Sequence, residues 1–529
     1  MKFRRLVLPL VVAVTMAGCA GTQQTAEPED EPAPSPPEQT EEAPAPESDE
    51  ANDAEESPSD SDATPESEPE AAPQEPTDDW FRLDREADRF PGVSVERAYE
   101  SFLQDKRPED TVVVAVIDNG IDTDHEDLDD VLWTNRDEVP GNNEDDDDNG
   151  YADDVHGWNF IGGPNKNVNH DTYELTRIYA RLKPKYEDVS DPSSLSPEER
   201  EEYEYYQHIK NDFQKERRKV NQQISQISKA RQAYDRASQT LRTYLGVDTL
   251  MQEHVESFRA DTAGRRVQRA KGLLTRFYRY GVTPSDFEDQ RETLQDRLEY
   301  GYNPDFNPRP RVGDDYSDTS ERYYGNNEIS ASAPYHGTHV AGIIGAERDK
   351  DVANAIRYAA ENGADIISMS FGKGYSPQKA VVDEAVQYAD RKGVLMVHAA
   401  GNEGVNVDTT DNFPSKYYAN STNAAETWIS VGGSSWQEDN LAAPFSNYGN
   451  ERVDLFAPGV QIYSTALNDR YDRSSGTSMA APVVSGVAAL VMSYYPELSA
   501  AQVKDVLLTT ATSYADAQVT RPGSGGRGP

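Results

Sequence analysis

Short apolar runs alternate with stretches of helix length in two parts of this chain, and a polar, helix-rich part separates them. The first run, Thr111 to Ile117, is almost entirely β-branched or apolar and ends at Asp118-Asn119-Gly120. Further runs at Asp365–Met369, Val394–Ala400, Trp428–Gly432 and Val453–Ala457 share its character, and Val155–Ile161 predicts another strand. Strands without an exposed polar face belong to a sheet covered on both sides, which is the habit of parallel sheets. Helix-length stretches lie between them: one opening at His336, one over Asp351–Asn362 closed by Gly363, one over Ala380–Lys392 with Val381, Ala385 and Tyr388, and a last one over Leu498–Thr509. The run Val483, Val484, Val487, Ala488, Leu490, Val491 gives a helix after Ser478 a buried face, with Pro482 expected in its first turn. The pattern predicts an α/β fold, a mainly parallel sheet with helices on both faces.

Residues 171–300 break the alternation. They are rich in Tyr, Arg, Glu and Gln, and Phe213, Val220, Ile224, Ile227, Tyr234 and Leu241 repeat with a spacing close to seven. That rhythm predicts a helical hairpin or short coiled coil, with Pro184, Pro192 and Pro197 as breaks. The domain organisation follows: a first part of the α/β domain over 80–170, a helical insertion over 171–300, the second part over 301–512, and a flexible tail over 513–529. Residues 301–335 return as a Tyr-, Asn- and Asp-rich loop.

Composition changes the picture at the N-terminus. Lys2, Arg4 and Arg5 precede the apolar stretch Leu6–Val14, which is too short to span a membrane as a mature helix. Met16-Ala17-Gly18-Cys19 resembles a bacterial lipobox, and Cys19 is the only cysteine. Residues 1–19 therefore predict a lipoprotein signal peptide with lipidation at Cys19, and an exported protein tethered to a membrane by its N-terminal lipid. Residues 20–79 hold Pro, Glu, Ala, Ser and Asp with little to bury, which predicts a disordered acidic linker. This linker carries 21 carboxylates and no Lys or Arg, about half of the net charge of −44. So acidic a chain excludes nucleic acid as a partner. The sequence leaves the oligomeric state open.

The candidate chemistry sits at the ends of the apolar runs. Gly476-Thr477-Ser478-Met479-Ala480 places a serine at a helix start, where unpaired N–H groups and the helix dipole favour negative charge. A serine nucleophile needs a histidine base and a carboxylate to orient it. His336-Gly337-Thr338-His339 offers the histidine at the mouth of an apolar helix, and Asp118 offers the acid at a strand end. His339 and His398 read as structural histidines.

With their chain order Asp, His, Ser, which is the order known for that family, these segments resemble the subtilisin-like serine proteases (subtilases). The resemblance covers roughly 90–165 and 320–510. It implies that Asp118 orients, His336 acts as base and then acid, and Ser478 attacks a peptide carbonyl. It also implies that Asn402, in Ala399-Ala400-Gly401-Asn402, donates to the oxyanion, and that Ser370-Phe371-Gly372 pairs with the substrate backbone. Substrates would be proteins or peptides, with no cofactor for catalysis.

Two features depart from a plain reading of the family. Asp145, Asp147, Asn149, Gly150 and Asp153 match the first half of a calcium loop, but His156 stands at the twelfth position, so the loop is not an EF-hand. A structural Ca2+ is expected there. After the His336 helix, Glu347-Arg348-Asp349-Lys350 leads at once into the next helix, where the family has a strand. One strand is expected to be missing beside the Asp118 strand, with a gap near the site. An inactive subtilase-like pseudoenzyme, or a surface scaffold using the insertion, is the alternative function.

Overall fold

The computed structural model describes residues 76–259, 263–279, 282–330, 335–340, 348–419, 421–437 and 440–514. The signal peptide, Cys19, nearly all of the acidic linker and most of the tail lie outside the described residues. Five parallel strands form the main sheet in sequential order: β1 (Val114–Ile117), β2 (Ile366–Met369), β3 (Leu395–Ala399), β4 (Trp428–Ser434) and β5 (Leu455–Pro458). Every residue of β2, β3 and β4 is buried, which is why their sequences read as continuous apolar runs. A hairpin of β6 (Ile462–Ala466) and β7 (Arg470–Ser474) follows.

The helices run in chain order. Two short ones, α1 (Arg85–Asp88) and α2 (Val95–Ala98), lead into β1. The insertion holds α3 (Glu174–Tyr186), α4 (Pro197–Leu245), α5 (Gln252–Ser257), α6 (Arg265–Arg279) and α7 (Pro284–Asp296). The second part holds α8 (Tyr335–Val340), α9 (Asp349–Glu361), α10 (Lys379–Lys392), α11 (Thr477–Tyr494) and α12 (Ala500–Thr510). One face of the sheet buries Ile117, Ile367 and Met396 against Ile356 of α9 and Val386 of α10. The other buries Ile366, Val397 and Val431 against Val484 of α11 and Val503 of α12. The α/β sheet with helices on both faces is as the pattern predicts.

The expected strand over 155–161 is not formed. The segment is a loop with a single bridge between Asn159 and Asn326. Its aromatic side chains, which give it strand character, instead pack ring against ring: Trp158 and Phe160 both meet Tyr151, and Phe160 also meets Tyr324 and Tyr358. Gly157, at φ 139°, turns the chain away from an extended path.

In the insertion, the seven-residue rhythm belongs to one helix of 49 residues, α4. At 1.5 Å per residue it is about 74 Å long. Ser196 and Glu199 form a capping box at its start and Gly246 closes it at φ 69°. Its buried side chains serve two neighbours in turn. Tyr206, Ile209 and Phe213 pack on α3, and Tyr234 meets Phe277 of α6 and Phe287 of α7. Pro184 lies inside the last turn of α3 and does not mark its end.

The start of α9 is built on buried charge. Lys350 is fully buried and bonds the Asp314 and Glu321 carboxylates at 2.9 and 2.8 Å. Arg309 bridges Asp314 and Asp351, Arg348 grips Asp171, and Lys373 reaches Asp349. These pairs tie the entry to the insertion, the 309–324 loop and α9 together. Such a network must stay whole, since an unpaired buried charge costs several kcal/mol (~3–5).

The missing-strand expectation is met at β1, which is an edge of the sheet. Among the described residues no strand lies between α8 and β2. α9 packs on α10 and reaches β1. A cavity of about 570 Å³ runs along the uncovered side of β1 from Val113 to Asp118.

Candidate active site

Ser478 is the second residue of α11, and a proline one turn later sets its surroundings. Pro482 stands deeper in the helix than the first turn expected for it. It has no N–H to give the carbonyl four residues back, which is that of Ser478. The Ser370 hydroxyl donates to that carbonyl instead, at 2.9 Å. In return the Ser478 hydroxyl donates to the Ser370 carbonyl at 3.1 Å. No local pattern signals this exchange, because Ser370 stands 108 positions away.

Asn402 is fixed from one side only. Its Oδ1 accepts from the Thr477 N–H at 2.8 Å and the Thr477 hydroxyl at 3.0 Å. Its Nδ2 and the Ser478 N–H have no acceptor among the described residues. Two donors are thus left beside the Ser478 hydroxyl, the requirement for holding an oxyanion. Sequence reasoning does not single out Thr477; its one signal there is a hydroxyl next to the serine.

The edge at 370–372 presents alternate backbone groups. The Phe371 carbonyl turns inward and is bonded by His398 Nε2 at 2.7 Å. The Gly372 N–H and carbonyl have no backbone partner among the described residues. A side chain at Gly372 would collide with Asn412, since a Cβ would lie 2.4 Å from its Oδ1. This edge can pair with an extended chain. The insertion reaches its far end, where Tyr375 donates to Asp212 of α4 at 2.7 Å.

Asp118 and His336 form a second cluster. α8 and the segment after β1 are joined: the Gly337 N–H donates to Asn119 Oδ1 at 3.1 Å, and the Asp122 N–H donates to the Thr338 hydroxyl at 2.9 Å. A Cβ at Gly337 would stand 1.6 Å from the Gly120 carbonyl oxygen, so only glycine allows this approach. Asp118 Oδ1 accepts from the Asn119 N–H at 2.5 Å, while its Oδ2 is buried without a partner. His336 Nδ1 is likewise buried without a partner. Burial raises the Asp118 carboxyl well above the usual carboxylate range. Burial, helped by nearby His339, lowers His336 to about 3. No hydrogen bond joins Asp118 to His336, or His336 to Ser478. α8 does touch α11. His339 and His398 are the structural histidines expected: His339 Nε2 contacts the Asp472 carbonyl at 3.1 Å, and His398 lies in β3.

The acidic loop divides the predicted cation ligands. Glu138, Asp145 and Asp147 each bring a carboxylate oxygen within 4.8 Å of the other two. Asp153 is not among them; its oxygens accept the Gly141 and Asn143 N–H groups. Asn149 uses its Oδ1 on the Tyr151 N–H. Glu138 escapes sequence reasoning because it lies outside the repeating motif. It is buried, and burial with a smaller push from the Asp154 and Asp147 carboxylates raises its carboxyl. Three hard oxygen donors in one place fit a Ca2+ ion.

Residues 109–351 and 347–525 match the Subtilase family. The chain is 36% identical to subtilisin DY of Bacillus licheniformis over 211 residues, 34% of this chain and 72% of that protein. It is 38% identical over 187 residues to subtilisin E of Bacillus subtilis (strain 168), 35% of this chain and 45% of that protein. It is 34% identical over 244 residues to the thermophilic serine proteinase of Bacillus sp. (strain AK1), 41% of this chain and 55% of that protein. The chain thus spans about half the length of the latter two. Among solved structures it is similar to a cold adapted subtilisin-like serine proteinase, with 29% identity, a TM-score of 0.31, and coverage of 36% of this chain and 75% of that one.

His398 supplies a pH prediction. Burial holds it to about 4 against an ordinary 6.5, so the folded state keeps it neutral where the unfolded chain protonates. Stability falls as pH drops from about 6.5 towards 4, by up to about 3 kcal/mol from this one group. Urea denaturation of wild type and His398→Gln across that range checks it. The variant has the shallower slope, and equal slopes contradict the assignment.

Proposed function

The chain belongs to the subtilase family, and on that footing we propose that it is a serine endopeptidase acting through Asp118, His336 and Ser478. The observation that carries the triad is the pair of buried, unpartnered atoms Asp118 Oδ2 and His336 Nδ1, on the segment after β1 and on α8, which are bonded to each other. These are the two atoms that an orienting hydrogen bond would join, and each stands to gain about 1–3 kcal/mol from a partner. A base as weak as the isolated His336 removes a serine proton poorly. A hydrogen bond to the Asp118 carboxylate would raise its basicity.

Substrate supplies the other rearrangement. An extended peptide pairing with the 370–372 edge presents an N–H to the Ser370 carbonyl, which now holds the Ser478 hydroxyl. The displaced hydroxyl turns to His336 Nε2 and attacks the scissile carbonyl. His336 takes the proton, and Asn402 Nδ2 with the Ser478 N–H holds the oxyanion. His336 then protonates the leaving amine, and water, deprotonated by the same imidazole, releases the acyl group from Ser478. Cleavage of an unfolded protein substrate tests this. Ser478→Ala removes activity, and Asn402→Ala lowers kcat about 10²–10³-fold with KM little changed. Activity that survives Ser478→Ala contradicts the assignment.

A second reading rests on a specific observation: no hydrogen bond joins the three side chains, and β1 carries Asp118 with one flank uncovered. In that reading the chain is an inactive relative or a scaffold, and a folded wild type cleaves nothing.

Calcium at Glu138, Asp145 and Asp147 would neutralise three crowded carboxylates and fix the loop before 155–161. Its removal by chelator lowers the melting temperature of the wild type and leaves that of Asp147→Asn unmoved; an unmoved wild type counts against it. We also place the protein outside the cytoplasm, tethered through lipid on Cys19. Cell fractionation finds wild type with membranes and Cys19→Ala in the soluble fraction, whereas identical partitioning excludes the tether.

A further inference from the structure

β1 is an incomplete strand. The Val113 carbonyl accepts from the Asp365 and Ile366 N–H groups at 2.9 and 3.2 Å. Backbone groups alternate along a strand, so Ala115 and Ile117 also face β2, while Val114 and Val116 face away. No hydrogen bond among the described residues reaches the N–H or carbonyl of Val114 or Val116. These groups open on the cavity of about 570 Å³, a size typical of ligand sites. Trp158, Phe160, Tyr300 and Tyr358 line it beside polar side chains such as Asn159, Asn169 and Asn362.

The charge at the cavity is unbalanced. Asp118, Asp171, Asp296 and Glu328 line it, with Arg297 as the one Lys or Arg among the lining residues. Asp171 is already neutralised by Arg348. Asp118 is assigned to His336 in the proposed function, and Asp296 and Glu328 outnumber Arg297, so the surplus of negative charge favours a cationic occupant.

We propose that this cavity binds an extended peptide of alternating apolar and basic character, which adds to the free edge of β1 as a further strand. Unpaired donors and acceptors at strand spacing are satisfied by another backbone, the aromatic wall takes apolar side chains, and the carboxylates take Lys or Arg. The edge at 370–372 is a separate surface, so the proposal does not rest on peptidase activity.

The test uses the full chain carrying Ser478→Ala, so that the probe is not cut. Fluorescence anisotropy follows a labelled peptide, acetyl-Lys-Val-Thr-Val-Thr-Val-Lys-amide. Saturable binding is expected. N-methylation of every other amide in one register weakens it at least tenfold, and in the other register leaves it unchanged, because one edge of the added strand meets β1. Replacing both lysines by Glu weakens it at least tenfold. Val116→Pro removes an outward N–H and does the same; if that variant fails to fold, the N-methyl series decides. Absence of saturable binding, or equal loss in both registers, overturns the proposal. So does a dimer, seen by light scattering, that the peptide dissociates, since it would give the edge to a second copy.

Discussion

Two reciprocal hydrogen bonds between Ser370 and Ser478 hold the chemistry of this protein in register. One exists because Pro482 cannot donate to the Ser478 carbonyl, which leaves that oxygen for the Ser370 hydroxyl. The other parks the Ser478 hydroxyl on the Ser370 carbonyl. Thr477 adds its bonds to Asn402, and its hydroxyl also accepts the Gly401 N–H. The ends of β2 and β3 and the start of α11 therefore move as one piece. Around this joint lie the proposed nucleophile, two free donors and a backbone edge.

His336 and Asp118, the base and carboxylate of the proposal, sit on another piece. Asn119 to Gly337 and Asp122 to Thr338 bind the segment after β1 to α8, and the Thr465 hydroxyl holds the Thr338 carbonyl from β6. Among the described residues no strand supports the outer flank of β1, after which Asp118 stands. Both pieces pack well by themselves. The proposed chemistry needs them brought into contact.

Much of this is legible in the sequence, for physical reasons. Buried parallel strands must be apolar on both faces, so β2, β3 and β4 announce themselves. The motifs at 118, 336, 402 and 478 stand at element ends, where glycine and small residues are required for close approach. The missing strand, too, can be inferred, because two helices meet with no strand between them. Other features depend on contacts that no local pattern carries. Val155–Ile161 has strand composition, yet its rings find Tyr151 and Tyr358. Glu138 reaches the acidic loop from outside its motif, while Asp153 caps a turn. The charged run at 348–351 carries no local sign of burial; it is buried because Asp171, Arg309 and Asp314 come from distant segments to meet it.

The central claim is that His336 activates Ser478 with Asp118 behind it. Covalent labelling by a fluorophosphonate, mapped by mass spectrometry of the full chain, tests it most directly. A single adduct on Ser478 is expected to form in wild type, to be lost in His336→Ala and to be strongly slowed in Asp118→Asn. A folded wild type that takes no label, or one labelled as fast without His336, would contradict it.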